Sequence, residues 1–214
     1  VPGGRSKGTI LLDAADGRQF VVRRDFSAAL TGTSVADEFP TIQAVHKAGI
    51  RAPAPLWLET APDAIGGRFI VFERLPGRAM GTLFASDASP DFCKDFAGEL
   101  ARLHRLDPAA LGLEDALQFG REAHPVQALL ASFKARYRAG MPPVPLIDRA
   151  FAWLHAQLPR IGNARRIVHG DAGLHNTLGD GDRLTGLLDW EFAHVGDPAE
   201  DLAYCRFLVG QILP

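Results

Sequence analysis

RIVHGDAGLHNTLGDGDRLTGLLDWEFAHVGDPAED, residues 166–201, gathers more placed polar groups than any other stretch of this chain. It opens on the apolar pair Ile167–Val168, a short strand that delivers His169, Gly170 and Asp171 at its end, where a loop presents side chains to a cleft. Asn176 follows Asp171 by five residues. Asp180–Gly181 is a hairpin-turn dipeptide between strands at 176–178 and 184–188, so the hairpin ends on Asp189. One loop and one hairpin thereby bring Asp171, Asn176 and Asp189 together.

The chemistry that needs these three groups is phosphoryl transfer from a nucleotide. Magnesium takes hard oxygen ligands, one or two carboxylates plus substrate phosphates and water, so Asn176 and Asp189 suffice to hold the ion without enclosing it. Asp171 is then left to accept the proton of a hydroxyl and aim it in line with the terminal phosphate; positioning and charge neutralisation are most of what such a reaction needs. A catalytic-loop Asp, an Asn five residues on and a metal-binding Asp after a hairpin is also the order in protein kinases. Any one of the three alone reads as a turn or capping residue, but capping does not require all of them at these spacings.

VHGDAGLHN followed by LLDWE resembles the aminoglycoside phosphotransferase and choline kinase superfamily, small-molecule relatives of the protein kinases in which HGD replaces HRD and DxE or DWE replaces DFG. The longer ending LLDWEFAHVGDPAEDLAY is similar to a subgroup that includes kinase-like domains fused to acyl-CoA dehydrogenases. The resemblance implies Asp171 as catalytic base, Asn176 and Asp189 as metal ligands, and His169 as a brace for the loop. It implies a two-lobed, protein-kinase-like α+β fold with ATP and magnesium between the lobes.

The rest of the stretch reads more plainly. Asp197-Pro198-Ala199-Glu200 has the form of a capping box, with Pro at the first helical position. Asp201 has two readings, a brace reaching back to the catalytic loop or a helix-surface carboxylate. His175 and His194 are loop or packing residues, since no HExxH or CxxC spacing accompanies them.

Working outward, 214 residues with 47% hydrophobic content can bury a real core. A net charge of -2 supplies no basic field for nucleic acid and no polybasic membrane patch, so neither partner is expected. Cys93 and Cys205 are far apart in apolar, helical contexts and read as free thiols of a reducing cytoplasm. No apolar run has the length of a membrane span and no signal peptide is visible. Val1 is not a methionine, and the chain stops at Pro214 soon after the metal hairpin, so both ends are expected to be incomplete.

Residues 1–25 read as a hairpin turning at Asp16–Gly17. In its first segment Gly3, Gly4 and Gly8 permit close backbone approach and Ser6 and Thr9 can donate; the resembling family caps the nucleotide here, and a plain turn is the equal alternative. In the second strand Val21 and Arg23 share a face. In the register of the kinase VAIK strand, Val21 touches adenine and Arg23 replaces the phosphate-binding lysine, a departure that still leaves a fixed positive charge. A helix is expected over 34–49, carrying Glu38 as partner of Arg23 or as an ordinary first-turn acid, and Pro40 limits how early it can start.

Residues 53–58 and 68–72 are two more strands, the first an edge because of Pro53 and Pro55. FIVFERLPG then ends in a turn that reads as a hinge, where the resemblance places adenine against the backbone of Glu73 and Leu75. Helices follow at 92–106, 126–139 and 146–158, and ELARLHRLD resembles the LHxLD segment of the same superfamily. The expected division is 1–76 for a nucleotide-binding lobe and 77–214 for a helical lobe. The expected function is ATP- and magnesium-dependent phosphorylation of a small-molecule hydroxyl. A catalytically silent pseudokinase that binds nucleotide or a partner is the alternative, whereas a protein kinase would need HRD and APE, which are absent. Aminoglycosides, amino alcohols, sugars and hydroxyacyl thioesters are all compatible acceptors, because a fold does not choose its substrate.

Overall fold

Two runs of residues near the start of the chain pair with each other across a tight turn at residues 14–18. In the computed structural model, which describes residues 7–26, 33–61, 64–83 and 85–212, β1 (Lys7–Asp13) and β2 (Gln19–Asp25) form an antiparallel hairpin. Gly17 takes the left-handed conformation the turn needs (φ 85°). β3 (Pro55–Glu59) and β4 (Phe69–Glu73) complete a four-stranded sheet of order β1-β2-β4-β3. The proline-bearing β3 is an edge strand, with a register irregularity between Pro55 and Trp57.

Helix α1 (Val35–Lys47) crosses one face of this sheet. Ser34 caps it, and Asp37 reaches back to the Ser34 backbone in a reciprocal capping box. Its end is set by Gly49 (φ 86°), with Ile50 N–H donating to the Val45 carbonyl at 3.0 Å. Pro40 does not delay the start as expected. The helix begins at Val35, and the proline sits inside it. The capping box fixes the first turn, and Pro40 lies too near the N-terminus to interrupt more than one backbone bond.

The chain then passes through the two-residue strand β5 (Arg78–Ala79) into α2 (Pro90–Leu103), capped by Ser89. Phe92, Phe96, Leu100 and Leu103 recur at helical spacing and are all buried. α3 (Pro125–Gly140) and α4 (Pro145–Gln157) pack on each other as a hairpin joined through Pro142 and Pro143, and no residue of α4 is buried. After β6 (Arg166–Val168) come β7 (Thr177–Asp180), β8 (Arg183–Leu187), β9 (His194–Gly196) and α5 (Ala199–Ile212). β5-β7-β8 form a second sheet, and β6-β9 a third.

One apolar core runs from Val35, Ile42, Val45, Ile70 and Phe72 through α2 to Ile167, Leu184, Leu187 and Trp190. Arg51 bolts the two regions together. Its backbone and side chain donate to buried Glu99 at 2.7 Å each, its guanidinium forks onto Asp95 and the Leu184 carbonyl, and its own carbonyl accepts from Leu187 N–H at 2.7 Å. Cys93 and Cys205 are free thiols. Among the described residues no helix is long and apolar enough to cross a membrane.

Candidate active site

His169 follows directly on β6 and has no exposed surface. The Leu188 carbonyl can only accept, so His169 Nε2, 2.9 Å away, carries the proton; Nδ1 then accepts from Asp171 N–H at 3.3 Å. Burial holds the imidazole below its ordinary pKa, in keeping with this neutral tautomer. Its ring also lies against Trp190, centroids 4.8 Å apart. The next residue must be glycine: Gly170 has φ 80°, and a Cβ there would sit 2.3 Å from the Phe192 carbonyl oxygen.

Asp201 braces this turn. Fully buried, it accepts from His169 N–H and Gly170 N–H at 2.9 Å each and meets His104 Nε2 at 2.8 Å. Of its two sequence readings, the brace is the one observed. Burial alone would raise its pKa, but the His104 contact and these backbone donors hold it below the usual carboxylate value. The expected capping box at Asp197 is only half formed. Asp197 accepts from Ala199 N–H at 2.9 Å, but Glu200 turns to His194 Nε2 at 3.0 Å instead of reaching back, because a buried imidazole needs a partner.

Asp171 emerges from the turn into a ring of donors. The Asn176 amide nitrogen donates to its carboxylate at 2.8 Å and to its carbonyl at 3.0 Å, and His175 Nε2 lies 3.4 Å from the other carboxylate oxygen. The Tyr204 hydroxyl, on α5, also faces it, with its ring set edge-on to His175. Partial burial works against the charge, yet these donors win and Asp171 stays ionised well below neutrality. Conversely, Tyr204 is pushed above its ordinary pKa by burial and by the Asp171 carboxylate, so it remains a neutral donor.

Asp189 follows β8 in a left-handed conformation (φ 64°), rare for a side-chain-bearing residue. Trp190 fixes the turn beyond it, being buried and donating from Nε1 to the Leu187 carbonyl at 3.0 Å. The Asp189 carboxylate is held by the Arg23 guanidinium, whose Nε is 3.8 Å from Glu38 Oε2. The expected Arg23–Glu38 pair is thus present but long, and Arg23 belongs chiefly to Asp189. Glu38 has a nearer partner that sequence reasoning passed over, Lys7 Nζ at 2.6 Å, which also meets Glu191 at 3.1 Å. Burial raises the Glu38 pKa more than Arg23 and Lys7 lower it.

The structure brings Asp171 together with Asn176, and Asp189 together with Arg23 and Glu38; the two groups adjoin through Leu188 N–H, which donates to the Asn176 carbonyl at 2.8 Å. Val21 is half-buried on the β2 face that packs on the core. Glu73 ends β4 with its N–H bonded to the Ala54 carbonyl at 3.2 Å, and the Leu75 side chain covers Gly186 on β8. Ser6 lies outside the described residues. Tyr204 had a readable signal in its place three residues after Asp201, on the same helical face. Lys7 had only the incongruity of a lysine opening an apolar strand. Asn176 uses its amide nitrogen on Asp171, and its amide oxygen, like the Asp189 carboxylate, is a hard oxygen donor of the kind magnesium takes.

Residues 1–213 match the family described as the phosphotransferase enzyme family. The chain belongs to that family. Among curated relatives of this phosphotransferase-family chain, acyl-CoA dehydrogenase family member 10 of Mus musculus is 29% identical over 215 residues, covering 94% of this chain and 19% of that protein. The viomycin phosphotransferase of Streptomyces vinaceus is 30% identical over 182 residues, covering 77% of this chain and 60% of its own length. The chain therefore spans about a fifth of the acyl-CoA dehydrogenase relative. Among solved structures, a thermostable mutant of an aminoglycoside phosphotransferase in ternary complex with AMP-PNP and hygromycin B aligns with TM-score 0.71 at 18% identity, over 99% of this chain and 74% of that one. The shared fold is the two-lobed, kinase-like α+β architecture expected from the sequence.

Proposed function

We propose that this phosphotransferase-family domain transfers the γ-phosphoryl group of ATP to a hydroxyl of a small molecule, in a magnesium-dependent reaction. The observation that carries the reading is the Asp171 carboxylate held between Asn176 and His175 on the turn after β6, with Asp189 in a left-handed turn after the β7–β8 hairpin that follows. In this reading Asp171 takes the acceptor's proton, the acceptor oxygen bonds to the γ-phosphorus, and the bond from that phosphorus to the β–γ bridging oxygen breaks to release ADP. The Asn176 amide oxygen and Asp189 would hold magnesium, which when bound neutralises phosphate charge.

Arg23 would move from Asp189 to the phosphates, a planar guanidinium being suited to bidentate phosphate contact. We divide the chain at Pro76, with residues 1–76 as the nucleotide lobe; Val21 would touch adenine, and the backbone of Glu73 and Leu75 would bond its edge. Support for nucleotide use comes from the AMP-PNP complex of the structural relative, and for a small-molecule acceptor from that relative's hygromycin B and from the viomycin phosphotransferase.

The Arg23–Asp189 ion pair favours one rival, a nucleotide-binding domain in which this carboxylate never binds metal. Nucleotide titrations with and without magnesium separate the two. Wild type should bind ADP at least about tenfold more tightly with magnesium, and Asp189→Ala should lose that gain. Equal binding by both proteins in both conditions would favour the silent domain.

A further inference from the structure

Three elements meet at one buried ammonium. Lys7 opens β1 with 4% of its surface exposed, and its Nζ lies 2.6 Å from Glu38 on α1, 3.1 Å from Glu191 and 3.4 Å from the Thr33 hydroxyl. Lysine is almost never buried unless paired. Here the pairing joins the N-terminal sheet and helix to the turn that carries Asp189, since Glu191 stands two residues beyond it. A compact ammonium with three donors can serve carboxylates arriving from different directions, which a single planar fork cannot do as well.

The charges around it decide what Lys7 is for. Lys7 and Arg23 face Glu38, Glu191 and Asp189. Without the Lys7 ammonium, Glu38 would lose its partner at 2.6 Å and Glu191 one at 3.1 Å, and Arg23, already 3.8 Å from Glu38, would be drawn toward that carboxylate and away from Asp189. The Asp189 turn would also lose a tether. Its left-handed backbone is unfavourable for a residue with a Cβ and persists only where its surroundings over-determine it. Trp190 anchors the turn to the core, and the Lys7–Glu191 pair anchors it to the N-terminal sheet.

We propose that Lys7 is a positioning residue for the phosphoryl transfer inferred above: it gathers Glu38 and Glu191 at one point, seats the Asp189 turn against the N-terminal sheet, and leaves Arg23 free to engage phosphate. The assignment rests on the reading of Asp189 as a metal ligand. It explains how an arginine can stand where kinases place the lysine of their Lys–Glu pair. The lysine–glutamate pair is kept, but its lysine comes from the neighbouring strand.

The test is ADP titration by calorimetry, with magnesium and with EDTA, on wild type, Lys7→Met, Lys7→Arg and Glu191→Gln, each checked for folding by circular dichroism. Lys7→Met should lose at least about tenfold of the magnesium-dependent gain in affinity while binding in EDTA changes by less than about threefold. Lys7→Arg, which keeps the charge but not the compact ammonium, should recover only part of the loss. Glu191→Gln, which cuts the turn's tether and keeps the Lys7–Glu38 pair, should show the same selective loss and decides the matter if Lys7→Met does not fold. A magnesium gain kept within about twofold in Lys7→Met, or in Glu191→Gln if only that variant folds, overturns the role of Lys7 alone. No magnesium gain in wild type overturns the metal reading and this assignment together.

Discussion

Replacing Asp201 by alanine should be among the most damaging single changes in this protein, although Asp201 itself is placed to touch no substrate. Its fully buried carboxylate satisfies the backbone N–H of buried His169, the Gly170 N–H and His104 Nε2. Alanine leaves two backbone donors unpaired at about 1–3 kcal/mol each, and strips the imidazole of its partner. The expected loss is roughly 3–5 kcal/mol, the range for breaking a buried charged network. Asparagine should cost less, about 1–3 kcal/mol, because one oxygen survives while its amide nitrogen confronts a donor. Urea denaturation with an unchanged m-value measures both. A pH series adds a second check. The depressed folded-state pKa of Asp201 means its stabilisation is present above the unfolded value of about 3.9 and lost as pH falls through the folded one, so wild type and Asp201→Ala should converge at low pH. A cost below about 1 kcal/mol, or a gap that does not narrow in acid, would refute the reasoning.

Arg51→Ala should destabilise by about 3 kcal/mol in the same assay, because buried Glu99 keeps only the partly exposed Arg102 as a cation; a loss under about 1 kcal/mol would mean the lobes are held by the apolar core alone. Gly170→Ala should cost more than about 2 kcal/mol, since the new Cβ meets the Phe192 carbonyl in a left-handed backbone, and an unchanged melting temperature would contradict this. His194 gives a pH prediction of opposite sign to Asp201. Burial disfavours its charge, but Glu200 outweighs burial and raises the folded pKa, so this stabilisation is complete below about pH 6.5 and fades as pH rises through the folded value. Melting temperature should fall between about pH 6 and pH 8 in wild type and show a flatter slope in His194→Gln.

What could be read from the sequence was what is local. Asp171, Asn176 and Asp189 are joined by one loop and one hairpin, so their proximity follows from turn chemistry at Gly170 and Gly181 and from strand pairing over a few residues. The β1–β2 hairpin, the edge character of β3 and the apolar face of α2 were legible for the same reason. Lys7 and Glu191 are 184 positions apart, and Arg51 meets Glu99 at a separation of 48; no periodicity reports such contacts. The short strand β9 pairs with β6 without any alternation of its own, so only the tertiary arrangement reveals it. Pro40 and Glu200 misled because a local rule was outvoted, in one case by a capping box and in the other by a buried histidine.

The most direct measurement is ADP release with ATP and magnesium across a panel of aminoglycosides, amino alcohols, sugars and hydroxyacyl thioesters, comparing wild type with Asp171→Ala. The proposed mechanism predicts that at least one acceptor class stimulates turnover, and that Asp171→Ala reduces it at least about a hundredfold, the contribution of a positioned base, while nucleotide still binds. Stimulated turnover that survives in Asp171→Ala would contradict the role given to that carboxylate, and wild type that binds no nucleotide would contradict the mechanism as a whole.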